Sequence, residues 1–199
     1  MPRTVRARRG TRQGRVGSGH DVTVDAEPTQ AGTAILVEGG SDRAAVLVAA
    51  RLLGVDLAAE GIAVVAMGGA MSVGRFAARL GPGGAGLRLR GLCDEGEVRF
   101  FERAGLGAVF LCRPDLEAEL LRALGVERAE AVLQHEGHLR LFRMFQQQPA
   151  QRDRTVEQQL HRFLGTTSGR KEHYGSALTS ALGPDELPAP LREVVSPPH

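Results

Sequence analysis

Four short apolar runs alternate with helical segments in the first two thirds of the chain, and this alternation limits the fold more than any other feature. The runs occupy residues 33–38, 62–67, 87–93 and 108–112. Fully apolar runs of this length are typical of strands that are buried on both faces of a parallel sheet. Segments with apolar residues at helical spacing follow the first, second and fourth runs. The sequence therefore predicts an α/β fold in which a four-stranded parallel sheet is flanked by helices.

The pattern also divides the chain into four parts. We expect an α/β core over residues 32–125. Residues 126–182 contain helical spacing without further strands, which predicts a helical extension packed on that core. Residues 1–31 carry six arginines among polar residues, so they predict a disordered basic arm that either contacts nucleic-acid phosphates or has no role. Residues 183–199 hold five of the ten prolines, which predicts an extended, disordered tail.

Composition restricts the compartment more than the function. No apolar stretch approaches the roughly 20 residues of a membrane helix, and two cysteines do not make a disulfide framework. We therefore expect a cytoplasmic protein with no membrane partner. The 25 basic residues nearly balance the 23 acidic ones, and Lys171 is the one lysine among them. Because an arginine-rich, lysine-poor composition is typical of a GC-rich genome, arginine content alone is weak evidence for nucleic-acid binding.

Acidic residues follow three of the four predicted strands. They are Glu38 and Asp42 after the first, Asp94, Glu95 and Glu97 after the third, and Asp115, Glu117 and Glu119 after the fourth. Ligands bind where the carboxyl ends of parallel strands meet, so these acids should converge there and repel one another unless a cation binds. Mg²⁺ prefers oxygen ligands of this kind. Taken singly, most of these acids are explained as favourable charges in first helical turns, but Glu38 closes an apolar strand and needs a partner.

Taken in order, these segments resemble a known family. The Glu-Gly-Gly-Ser-Asp segment at 38–42, the Gly-Leu-Cys-Asp segment at 91–94, the Asp-Leu-Glu segment at 115–117 and the Gly-Arg-Lys segment before Tyr174 resemble the TOPRIM domain of the overcoming lysogenization defect (OLD) nucleases. The resemblance covers roughly residues 33–182. It implies a TOPRIM-like four-stranded parallel sheet with a helical C-terminal extension, and metal-dependent cleavage of DNA phosphodiesters.

The resemblance also implies roles for individual residues. Glu38, Asp42, Asp94 and Glu117 would bind Mg²⁺ or Mn²⁺. Glu38, Asp94 and Lys171 would be catalytic, with Lys171 stabilising the transition state. Independently of the family, Arg170 and Lys171 begin a predicted helix, where the helix dipole disfavours cations, so we expect an anion nearby and assign Arg170 to a nucleic-acid phosphate.

Two departures from the family pattern bear on function. TOPRIM domains usually carry Asp-x-Asp after the third strand, and Gly96 occupies the second acidic position here. Either Glu95 or Glu97 substitutes, or a second metal site is weakened or lost. OLD proteins also contain an ABC-type ATPase, yet these 199 residues contain no Gly-x-x-x-x-Gly-Lys-Ser/Thr loop. We therefore expect a stand-alone TOPRIM domain whose ATPase, if it has one, is a separate chain.

The sequence leaves two hypotheses about function open. The first is a Mg²⁺-dependent DNA endonuclease, with RNA as an alternative substrate. The second is a non-catalytic TOPRIM protein that binds nucleic acid or an ATPase partner, which the glycine at position 96 favours. The six histidines show no ligand spacing, and we interpret them as surface or partner-contact residues.

Overall fold

A four-stranded parallel sheet lies at the centre of the computed structural model, which describes residues 32–165 and 171–196. The strands are β1 (Thr33–Val37), β2 (Ile62–Ala66), β3 (Arg88–Asp94) and β4 (Ala108–Cys112). Every pair of neighbouring strands is parallel, and each strand lies within about a residue of its predicted bounds. The predicted fold class is confirmed.

The order of the strands across the sheet is β2-β1-β3-β4. The chain therefore leaves β1 toward one side of the sheet to form β2, and returns to the other side of β1 to form β3. The connection changes direction between β1 and β3, and the loops that follow these two strands diverge there. In open α/β sheets this point at the carboxyl edge is where ligands bind.

Helices cover both faces of the sheet. They are α1 (Gly40–Leu52), α2 (Val73–Leu80), α3 (Val98–Arg103), α4 (Leu116–His135), α5 (Leu139–Gln146), α6 (Val156–Gly165), α7 (Lys171–Ser180) and α8 (Ala189–Val195). Successive residues of a strand point to opposite faces, so Ile35 and Val37 pack with α1 and the helices from α4 onward, while Ala34 and Leu36 pack with α2 and α3. The predicted helical extension thus lies on the face that α1 also covers.

Helix α4 consists of two helical segments that meet at a kink at Gly125. The backbone of Gly125 is non-helical, with φ 71° and ψ 168°. Glycine adopts a positive φ at little steric cost, so the chain changes direction there between the boundary residues of the predicted core and the predicted helical extension.

The prediction of an extended tail from Gly183 is wrong for the residues that the structure describes. Pro188 is the N-cap of α8, which begins at Ala189, and proline is well suited to helix starts because it has no N–H to leave unpaired. Leu191, Val194 and Val195 are completely buried in the core. Arg90 of β3 donates from Nη1 to the carbonyl oxygens of Val194, at 3.0 Å, and Ser196, and so holds the end of α8 against the sheet.

Some predictions concern residues outside the described ranges. The basic arm at 1–31, Arg170 and the last three residues are among these. In the part of the chain that the structure describes, every helix is too short or too polar to cross a membrane.

Candidate metal centre

Glu38 and Asp94 meet at the point where the sheet changes direction. Glu38 directly follows β1 and Asp94 is the last residue of β3, and these two strands are neighbours. The backbone N–H of Asp94 donates to Oε1 of Glu38 at 3.3 Å. The carbonyl of Glu38 accepts from the N–H of Gly69 at 2.9 Å, which fixes the loop after β2 to the same edge. Residues from three strand ends are thus joined at this position.

The carboxylate of Asp94 extends the contact to the fourth strand end. Its Oδ1 accepts from the backbone N–H of Leu116 at 3.2 Å, at the first turn of α4. Its Oδ2 accepts no hydrogen bond from the residues that the structure describes. Asp94 therefore bridges β3 and α4 with one oxygen and leaves the other for a ligand.

The pKa of Asp94 reflects its burial and the negative charges around it. Burial, followed by the charges of Glu38, Asp42, Glu117 and Asp115 in that order, raises this pKa from 3.8 to about 8. Each of these groups disfavours the ionised form of Asp94, since like charges repel and burial removes water. The four neighbours come from β1, α1 and the start of α4, so the predicted acids do converge electrostatically on Asp94.

The neighbouring acids are positioned by local backbone contacts. Asp42 Oδ2 accepts from the N–H of Gly39 at 2.9 Å, which caps α1. Asp115 is the N-cap of α4, and its Oδ1 accepts from Ala118 N–H at 2.8 Å. Glu117 lies in the first turn of α4, and its carboxylate accepts no hydrogen bond from residues 32–165 or 171–196. Asp42 and Asp115 therefore each cap a helix, and each also lies close enough to Asp94 to raise its pKa.

Glu95 and Glu97, the two possible substitutes for the acid missing at Gly96, differ from this group. Glu95 pairs with Arg113 at 3.5 Å, and both side chains are more than half exposed. Glu97 is the N-cap of α3 and contributes to raising the pKa of Cys93 to about 12, after burial, Glu38, Asp94 and Glu102. Neither glutamate is among the charges that raise the pKa of Asp94.

His161 is a member of the site that the sequence reasoning missed. Its Nε2 lies 2.7 Å from Oδ2 and 2.9 Å from Oδ1 of Asp115. The carboxylate can only accept, so Nε2 carries the hydrogen. The two residues are 46 positions apart, and no spacing in the sequence connects them. The side chain of His161 is 41% exposed, so its interpretation as a surface residue agrees with the structure, and its contact with Asp115 was not predicted.

Helix α7 packs closely on the first turn of α1, which bears Asp42. A Cβ built on Gly175 would lie 2.2 Å from the carbonyl oxygen of Ser41 and 2.8 Å from its Oγ. The backbones of α7 and the first turn of α1 therefore approach closely, and Ser41 is next to Asp42. Lys171 is the first residue of α7, one helical turn before Gly175.

The chemistry of this group fits a hard divalent cation, although the ligands are not gathered around one point. The donors are carboxylate oxygens, Asp94 keeps an unbonded oxygen, and its pKa is raised first by burial and then by the charges of four neighbouring carboxylates. Over residues 32–165 and 171–196, no three His, Cys, Asp or Glu side chains are close enough to form a complete metal-binding cluster. Mg²⁺ is commonly held by one or two carboxylates with waters and substrate phosphates, so the group fits that mode.

Comparison with known proteins identifies the fold. The family model described as "Overcoming lysogenization defect protein-like, TOPRIM domain" matches residues 31–84, which include β1, α1, β2 and α2. The C-terminal region of the OLD protein of Xanthomonas campestris pv. campestris is similar at 23% identity with a TM-score of 0.60, over 83% of this chain and 90% of that one. The fold is an OLD-like TOPRIM fold.

A second structure agrees. The C-terminal region of the Burkholderia pseudomallei OLD protein is 20% identical with a TM-score of 0.62, over 83% of this chain and 95% of that one. No curated protein sequence matches significantly. The predicted resemblance to an OLD-like TOPRIM domain is thus confirmed. Among the predicted site residues, Glu38 and Asp42 lie inside the segment that the family model matches, whereas Asp94, Glu117 and Lys171 lie beyond it.

Proposed function

We propose that this protein is a divalent-metal-dependent nuclease that hydrolyses phosphodiester bonds of DNA. The observation that carries the proposal is the state of Asp94, whose pKa is raised to about 8 by burial and by four surrounding carboxylates. Such a concentration of like charge is costly without a cation and is typical of sites that bind metal and phosphate together. The OLD-like TOPRIM match over residues 31–84 supports the same assignment.

The residues of the site would have distinct roles in metal binding. Glu38, Asp42, Asp94 and Glu117 would hold Mg²⁺ or Mn²⁺, with Glu95 and Glu97 turned to other contacts. When bound, the cation supplies Lewis-acid activation of the phosphate and of the attacking water. The hydrogen bonds from the N–H groups of Asp94 and Leu116 orient the carboxylates of Glu38 and Asp94 before the ligand arrives. Such preorganisation lowers the cost of reaching the transition state.

Lys171 would stabilise the negative charge that develops on the phosphate. The support is the close approach of α7 to α1 at Gly175 and Ser41, which places the start of α7 beside the acid-bearing start of α1. Arg170, directly before α7, would contact a neighbouring phosphate. Neither side chain needs to bind the metal for these roles.

Binding of the cation is tested apart from activity. Mg²⁺ or Mn²⁺ should raise the melting temperature, because the carboxylates converge only in the folded state. Glu38→Gln should abolish that rise, while Glu60→Gln, an exposed glutamate between α1 and β2, should leave it intact. An equal rise in wild-type protein and Glu38→Gln would place the metal elsewhere.

Activity is tested by nicking of supercoiled plasmid with each metal. Lys171→Ala should lower the rate on the order of 10²–10³-fold while leaving DNA affinity nearly unchanged, since the lysine acts on the transition state. If the protein binds metal and DNA but does not nick plasmid with either cation, the proposed nuclease activity is refuted.

One observation favours a second function. Gly96 stands where a second acid is expected, and Glu95 and Glu97 do not replace it beside Asp94. The alternative is a non-catalytic TOPRIM protein that binds nucleic acid or a separate ABC-type ATPase. In that case Lys171→Ala weakens DNA binding slightly and lowers the salt dependence by about one counterion. RNA in place of DNA in the same assays tests the remaining substrate alternative.

A further inference from the structure

A cavity of about 570 Å³ lies along one side of α6, next to the candidate metal centre. Its lining consists of Arg154, Gln158, His161, Arg162 and Gly165. These positions follow the spacing of one helical face, so they form a continuous stripe along α6 and the turn before it. The stripe ends at Gly165, next to the segment that leads to α7.

The charge of this cavity is positive. Two arginines line it and no acid does. The guanidinium of Arg154 donates to the carbonyl of Ala150, and Arg162 has no ion pair with any residue that the structure describes. Elsewhere the arginines at 113, 122, 128 and 143 each pair with a glutamate. Arg154 and Arg162, like Arg79 and Arg103 on the opposite face of the sheet, have no glutamate or aspartate partner among the described residues. What distinguishes Arg154 and Arg162 is that both line one cavity, where an anion could neutralise them.

A second cavity connects this one to the start of α4. It has a volume of about 450 Å³, shares Gln158 and His161 with the first, and extends to Pro114 and Ala118, with Arg122 and Glu157 also in its lining. At this junction, His161 is hydrogen-bonded to Asp115, one of the charges that raise the pKa of Asp94. The basic stripe thus leads to the acids at the end of β3.

We propose that this groove between α4 and α6 binds the phosphodiester backbone of duplex DNA beside the position of cleavage. The inference rests on the proposed function and adds a contact surface that the metal site does not supply. Arg154 and Arg162 are eight residues apart, which is about 12 Å at the helical rise. Along the axis of a DNA duplex, that length corresponds to between three and four nucleotide steps of one strand, at a rise of roughly 3.4 Å each. His161 holds the junction in place by its bond to Asp115.

The test measures binding of a fluorescently labelled DNA duplex by the whole protein in EDTA, where no cleavage occurs. Each lost phosphate contact lowers affinity on the order of eightfold at about 0.1 M salt, because the release of about 0.9 counterion is lost. The double variant Arg154→Gln/Arg162→Gln should therefore bind on the order of 60-fold more weakly. Its plot of log affinity against log salt should be shallower by about 1.8.

A matched double variant controls for net charge. Arg79→Gln/Arg103→Gln removes two exposed arginines at the ends of α2 and α3, on the opposite face of the sheet, and should bind within about twofold of wild type. The conservative pair Arg154→Lys/Arg162→Lys should restore most of the affinity. Melting temperatures of all variants confirm that they fold.

Three results would contradict the proposed binding groove. The first is a groove variant whose DNA affinity and salt dependence equal those of wild type. The second is an equal loss of DNA affinity in the groove and control variants, and the third is a wild-type protein that binds an RNA duplex but no DNA duplex. A wild type that binds DNA through the groove and never nicks it refutes the nuclease and leaves the groove standing. The two proposals therefore fail separately.

Discussion

The contact between α1 and α7 depends on the absence of a side chain at Gly175. A Cβ there would overlap the carbonyl oxygen of Ser41, at 2.2 Å, and backbone cannot rotate away as a flexible side chain can. The backbone at Gly175 has no positive φ, so glycine is needed here for space alone. Gly175→Ala should force α7 away from α1, at a cost of about 1–3 kcal/mol that exceeds the gain of up to about 1 kcal/mol in helix propensity.

Gly74 offers a matched control. It also lies in a helix without a positive φ, near the start of α2, but a Cβ there would meet no atom within 4 Å. Gly74→Ala should therefore gain helix propensity without a clash. For a protein of this size, 1 kcal/mol shifts the melting temperature by roughly 2–4 °C. We expect Gly74→Ala to raise the melting temperature by a few degrees and Gly175→Ala to lower it by several.

Thermal unfolding followed by circular dichroism measures both variants, and plasmid nicking measures the consequence for the site. Because α7 begins at Lys171, displacing it should lower the nicking rate of Gly175→Ala more than that of Gly74→Ala, even well below the melting temperature. If Gly175→Ala melts at or above the wild-type temperature, the close approach of the two helices is not real and the argument that places Lys171 near the acids falls with it.

Two further predictions concern the sheet. Asp94 has a folded-state pKa of about 8, above its unfolded value of 3.8. The stability that this shift confers is therefore present below about pH 4 and is lost as pH rises through 8. In EDTA, the melting temperature of wild-type protein should fall relative to that of Asp94→Asn over this interval, and a rise would contradict the raised pKa. Arg90→Ala should lower the melting temperature by roughly 3–9 °C, because hydrogen bonds from a charged group to two carbonyls at the end of α8 are lost. Arg88 is exposed and lies two residues earlier on the same side of β3, so it serves as the control. Arg88→Ala should change the melting temperature by no more than about 2 °C. Equal effects of the two variants would show that the contact of Arg90 with α8 contributes nothing to stability.

The strands and the position of the site could be predicted because both follow from local rules. Fully apolar runs specify buried parallel strands, and strand ends converge at one edge whatever the order of the strands. The convergence of Glu38 and Asp94 follows from this, since β1 and β3 are neighbours. The roles of the individual acids do not follow, because a helix-capping carboxylate and a metal ligand occupy the same kind of position. Asp42 and Asp115 show both properties at once.

These local rules predicted neither the long-range contact of His161 nor the helix α8. His161 reaches Asp115 because α6 packs on α4, and no periodicity encodes which helices pack together. The proline content of residues 183–199 obscured a helical pattern in Leu191, Val194 and Val195. Proline disfavours helix interiors but is compatible with helix starts, and the composition of a segment does not reveal which position each proline holds.

The placement of α8 has a consequence for synthesis of the protein. The helix packs on β3 and β4 and is held by Arg90, about a hundred residues earlier in the chain. Until residues 189–195 have left the ribosome, the face of the sheet that Leu191, Val194 and Val195 cover stays open to water. The nascent chain therefore carries an unfinished apolar face from the emergence of β4 until α8 emerges, and during this interval it is exposed to chaperones and to aggregation. Native packing is completed only when α8 can reach β3 and β4.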